Sequence, residues 1–279
     1  MRMKGILAAL AILALTTPAA APAVAHEPIF APGAHVHSKG AHEVSLDYHR
    51  ERASGAGENE TAQELAFDYS YGVTADWTVK AVVPFVDKKS NGNGSSGLGD
   101  IRLGTKYRVS RIDRFGSQLS TTLLFQVKLP TGDDDSSPRL GSGSTDFTGG
   151  LLHVLESRRW YYNLAARYRL NTEGGGNLDK GDKVFLDIVG GVRPVLTEYR
   201  NADTVLFLEL NWERAARDSL RGANVTNSGG WEMFLSPGIF WTYRNYAVTS
   251  GLQIPVAENL NGAQPTSDYR FKLTGKYAF

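Results

Sequence analysis

The chain has 279 residues, Lys and Arg number 30 against 29 Asp and Glu, and there is no cysteine. That balance excludes the basic surface that nucleic-acid binding needs. The missing thiols exclude disulfides, thiolate metal sites and a lipid-bearing cysteine.

The first element is a predicted secretory leader over residues 1–25. Arg2 and Lys4 form a basic n-region, Ile6 to Leu15 an apolar h-region, and Ala23-Val24-Ala25 an A-x-A site that would leave His26 first. Residues 26–40 follow as an extension that carries His26, His35 and His37. An extended His35-Val36-His37 puts both imidazoles on one side. With His26 they are candidates for Cu²⁺, Ni²⁺ or Zn²⁺. Nothing downstream completes a rigid site, so the favoured reading is a disordered periplasmic extension whose histidines have no role.

From Ala41 to Phe279 the pattern has period two. No apolar run approaches the roughly 20 residues of a spanning helix. Trp160, Tyr162, Leu164, Ala166, Tyr168 and Leu170 alternate with Tyr161, Asn163, Ala165, Arg167, Arg169 and Asn171. Side chains alternate across a strand, so this segment has an oily face and a wet face. About twelve such strands are predicted. They start near Ala41, Thr61, Ala75, Leu98, Ser117, Thr145, Arg158, Asp182, Ala202, Gly230, Asn245 and Ser267. Several exceed ten residues, and Trp or Tyr stands near their ends, as in the aromatic girdles of membrane barrels.

Connections alternate between long and short. Long polar ones are Arg52–Glu60, Asp87–Gly97, Thr131–Ser144, Asn171–Gly181, Arg214–Gly229 and Ala257–Thr266. Short ones fall at Val73–Thr74, Ser110–Gly116, Glu156–Ser157, Leu196–Asn201 and Arg244. The expected fold is an all-β, transmembrane, antiparallel up-and-down barrel in the outer membrane, with short periplasmic turns and long outer loops. A soluble sandwich also alternates its faces, but it explains neither the long strands nor the one-sided loops.

If the oily face meets lipid, the wet face lines the lumen. Its bases are Lys80, Arg102, Lys106, Arg108, Lys128, Arg167, Arg169, Lys183, Arg193, Arg244, Arg270, Lys272 and Lys276. Its acids are Glu43, Asp47, Glu64, Asp68, Asp187, Glu209, Glu213 and Glu232. The expectation is a narrow polar pore for anionic or neutral small solutes, against a plugged barrel in which these charges pair. Asp133-Asp134-Asp135 is a candidate outer Ca²⁺ or lipopolysaccharide-bridging loop, with a solvated acidic loop favoured. The rival class is a barrel hydrolase, with His153 beside Ser120 or Thr122; no group orients His153, and no enzyme is expected. There is no phosphate-binding loop, and no cofactor is expected.

At Gly97-Leu98-Gly99-Asp100-Ile101-Arg102-Leu103-Gly104-Thr105-Lys106-Tyr107 the chain resembles a family of outer-membrane transporters named for the MetA pathway of phenol degradation. Lys128-Leu129-Pro130-Thr131-Gly132-Asp133, Leu140-Gly141-Ser142-Gly143-Ser144-Thr145-Asp146 and Ile254-Pro255-Val256 extend the resemblance, with Glu258-Asn259-Leu260-Asn261-Gly262 and Asp268-Tyr269-Arg270. It implies a barrel and transport, with aromatic compounds as the suggested cargo. Physically these motifs read as structural, with Asp100 and Asp146 capping loop amides; Pro130–Asp146 folding inward as a constriction is the functional alternative. Expected partners are outer-membrane lipid and lipopolysaccharide, a small solute, and the barrel-assembly machinery, since Phe279 resembles the terminal signal of such barrels.

Overall fold

A computed structural model describes residues 26–198 and 201–279; the predicted leader lies outside them. Twelve long strands form the wall. They are β1 (His42–Gly55), β2 (Glu58–Thr74), β3 (Trp77–Ser90), β4 (Arg102–Arg114), β5 (Ser117–Lys128), β6 (Asp146–Ser157), β7 (Trp160–Leu170), β8 (Lys183–Val192), β9 (Asp203–Ala215), β10 (Gly230–Tyr243), β11 (Tyr246–Leu260) and β12 (Thr266–Ala278). Every wall pair is antiparallel and sequential. β12 returns to β1, which closes the ring. Across that seam the His42 N–H donates to the Phe279 carbonyl at 2.8 Å and the Phe279 N–H to the His42 carbonyl at 2.9 Å. Closure leaves no unpaired edge in the wall, as a lipid environment demands.

Alternation places each face as the sequence predicts. On β7, Leu164 is 51% exposed and its neighbour Ala165 6%. Trp77, Trp160 and Trp241 stand at the short-turn end, on the outward face. That end is periplasmic by the loop-length rule.

Two of the predicted long loops are ladder instead. Arg52–Glu60 belongs to the β1–β2 hairpin, which pairs up to Gly55↔Glu58. Asp87–Gly97 folds as a hairpin between β3 and a short arm, Asn93–Leu98. The arm reverses at Asn91-Gly92, both with φ positive (49° and 88°), the tight turn this dipeptide favours. Both stretches lack an oily face, so periodicity ends where they rise above the lipid while pairing continues.

Asp100 ties the outer rim together. Its carboxylate accepts from the Gly132 amide at 3.0 Å and from the Ser142 amide at 2.9 Å. Asp146 accepts from the Thr172 amide at 3.1 Å. The loop over residues 129–145 is thereby fastened to the rim, and its Leu140 is buried.

Candidate functional site: the lumen and its amino-terminal segment

The inner wall is apolar towards the short-turn end. Tyr161, Val189, Val205, Phe207 and Phe240 all face inward there and are buried. In an empty lumen these groups would be wet. Residues 26–37, most of the predicted disordered extension over 26–40, instead run inside the barrel and cover them. Ala31 packs into this cluster, and Ala34 into a second one formed by Leu152, Val154 and Ala165.

The segment is also held by polar contacts. Glu209, fully buried on β9, accepts the N–H groups of Ile29 at 2.5 Å, Ala31 at 2.9 Å and Phe30 at 3.2 Å. Lys272 donates to the Ile29 carbonyl at 2.9 Å, and the Thr122 hydroxyl to the Ala34 carbonyl at 2.6 Å. Glu27 bridges Lys106 and Lys276, each at 2.9 Å. His35 meets Glu156 at 2.8 Å, and the His37 amide donates to the Thr78 hydroxyl, also at 2.8 Å. The wall leaves a notch for Ile29: a Cβ on Gly238 would lie 2.0 Å from its Cδ1. A disordered state would leave these buried charges and apolar faces without partners, so the segment docks.

Glu27 is the sharpest test of this docking. Burial would raise its pKa, but Lys106 and Lys276 hold it well below the usual carboxylate range. Glu27→Ala leaves two inward ammonium groups short of a carboxylate. Breaking a buried pair from one side costs roughly 3–5 kcal/mol; the low end is expected, because Lys276 keeps Glu43 at 3.9 Å. Limited proteolysis near residues 26–37 should then begin in the folded barrel, and unchanged protection would contradict the docking.

Most of the predicted lumen charges fall into three sets. Lys106, Lys272, Lys276 and Glu209 bind the segment. Arg102–Glu64 (2.7 Å), Arg167–Asp187 (2.8 Å), Arg270–Glu213 (2.6 Å) and Lys80–Asp68 pair with one another, and Lys128 is held by Asp146 and Asp100. Arg169 and Lys183 have no carboxylate within 4.0 Å among the described residues. Three placements differ from expectation. Arg108 bonds Asp76, and Arg193 bonds Asp203, both at the periplasmic rim rather than in mid-lumen. Arg244 is exposed in the β10–β11 turn, over the Tyr243 ring.

The histidine readings also change. Among the described residues no group of three His, Asp or Glu is placed to hold a metal ion, and His35 is engaged by Glu156. His153 contacts Thr121 at 2.9 Å, in register with it on the lipid face; Ser120 and Thr122 are buried on the inner face. The two halves of the suggested hydrolase pair thus lie on opposite sides of the sheet.

Above the segment lies a cavity of about 510 Å³, lined by Arg102, Arg167, Arg169, Phe185, Glu213 and Arg270 among others. A smaller one of about 210 Å³ adjoins it beneath Leu140. A family model described as "Putative MetA-pathway of phenol degradation" matches residues 57–253. The chain belongs to that family. The match takes in the family-like stretches from Gly97 to Asp146; the Ile254–Arg270 stretches lie beyond its end. No curated protein matches the chain. Among solved structures, an outer-membrane channel from Pseudomonas putida F1 superposes with a TM-score of 0.68 at 16% identity, over 86% of this chain and 96% of the other. The β domain of the Bordetella autotransporter BrkA gives 0.55 at 12% identity, over 87% and 100%. The MetA-pathway family member is therefore an outer-membrane β-barrel, its oily belt facing lipid.

Proposed function

We propose that the chain is an outer-membrane channel that passes small anionic or neutral solutes, aromatic acids among them, through a narrow charged lumen. The observation that carries this reading is the polar cavity, which Arg169 borders with no carboxylate within 4.0 Å of it among the described residues. The fold shared with a Pseudomonas putida outer-membrane channel supports it. In this setting the outer loops face lipopolysaccharide, and Phe279 closes β12 as a substrate of the assembly machinery would. The role requires no catalytic group and no cofactor.

Reversal potentials of the refolded chain in planar bilayers test the charge preference. An anion-selective shift is expected, and clear cation preference would reject it. The docked segment favours one second reading, a sealed barrel acting through its outer loops. Absence of any conductance from protein shown to be folded would select that reading.

A further inference from the structure

Arg167 and Arg169 are alternate residues of β7, so both guanidinium groups project into the lumen on the same face. Both lean on the Phe185 ring, at 4.7 Å and 5.3 Å from its centre. Both are charged, but only one is paired. Arg167 is neutralised by Asp187 at 2.8 Å. Arg169 has one weak contact, from Nε to the Thr148 hydroxyl at 3.3 Å. Its two terminal nitrogens have no partner among the described residues and border the cavity.

That arrangement is unfinished. A guanidinium offers five N–H donors in a planar fork that matches a carboxylate with two parallel bonds. Phe185 supports the fork from beneath, and Thr148 fixes its root. Glu213 is already taken by Arg270 at 2.6 Å, and Asp146 by Lys128. No neighbouring carboxylate is left to fill the fork.

We propose that Arg169 is a binding step for small monocarboxylates, held just above the docked amino-terminal segment. The number of charges follows from the surroundings. Among the described cations that line the cavity, Arg169 alone has both terminal nitrogens without a partner; Lys183, opposite it on β8, lies outside that lining, so a second anionic group on the solute would meet Asp187 and Glu213. A monoanion is therefore preferred to a dianion of similar size. The solute's body would lie against the part of Phe185 that borders the cavity. The inference gives the proposed channel a solute class, and its biological meaning rests on that reading; the binding step itself does not require conduction.

The test separates the two. Benzoate and phthalate are titrated calorimetrically into the full mature chain folded in micelles, and conductance is recorded separately in bilayers. Benzoate should bind more tightly than phthalate. Arg169→Gln should weaken benzoate by about tenfold or more, as loss of a charged, bidentate contact implies, and Arg169→Lys should restore part of it. Because Arg169 makes no ion pair in the wall, both variants are expected to fold, which retained heat-modifiable mobility in gels would show. Equal binding by Arg169→Gln, or phthalate binding more tightly than benzoate, overturns the proposal. Conductance without benzoate binding also overturns it while leaving the channel reading in place. Benzoate binding that needs Arg169, in a barrel that conducts nothing, upholds the step and sinks the channel reading.

Discussion

Removing residues 26–37 should raise single-channel conductance several-fold. The segment fills the periplasmic half of the lumen from the Glu27 ion pairs to the Thr78 contact. Without it the inner faces of β7 to β10 would be bare, and water would replace it. A wall variant gives the same readout without shortening the chain. Gly238→Leu puts a side chain where Ile29 now sits, 2.0 Å from the first added carbon, so the segment must leave or shift. Recordings of both proteins in planar bilayers check this. If conductance matches that of the intact chain in both, the segment does not stand in the ion path.

The second large effect is on pH. Four groups on the segment set the sign, and they oppose one another; burial holds His37 low, so its contribution, like that of His26, is lost towards acid. Burial and Arg193 hold His26 down to about 4, so its contribution to docking is complete above its usual value of 6.5 and is lost as pH falls towards 4. Glu27, held low by its two lysines against burial, loses its contribution still further into acid. Burial pulls His35 down, but Glu156 outweighs it and its pKa is raised; its contribution is complete below 6.5 and is lost as pH climbs through the docked value. Docking is therefore firmest close to pH 6.5. Conductance should rise on either side, and His35→Gln should remove the alkaline limb while leaving the acid limb. A profile that is flat from pH 4 to 9 would show that these groups do not hold the segment.

The wall was legible because lipid imposes a single rule on every strand. Predicted starts lie within four residues of those observed; the largest differences are Leu98 against Arg102 and Thr61 against Glu58. The inward placement of Arg102, Arg167, Arg169 and Arg270 followed from the same alternation. Their partners did not. Arg270 meets Glu213 because β12, β11, β10 and β9 stand side by side at a given stagger, and stagger is not written in any one strand. The docked segment was missed because it has no periodicity of its own. One signal pointed to it: Val205-Leu206-Phe207-Leu208 is apolar on both faces, which a strand with water on one side has no reason to be. A wet face that turns apolar needs a cover, and the cover was the extension that precedes β1.

The anchors of that segment have a consequence for how the molecule is made. Lys272 and Lys276 belong to the final strand, more than 240 positions from Ile29 and Glu27. Residues 27–29, far ahead of the final strand in sequence, therefore have no complete berth until that strand has been placed. A partly assembled wall lacks these partners, so the head of the chain stays free while strands are still being added. Its capture then acts as a stamp on the finished object. In a refolding time course, protection of residues 26–37 from protease should lag behind formation of the heat-modifiable barrel.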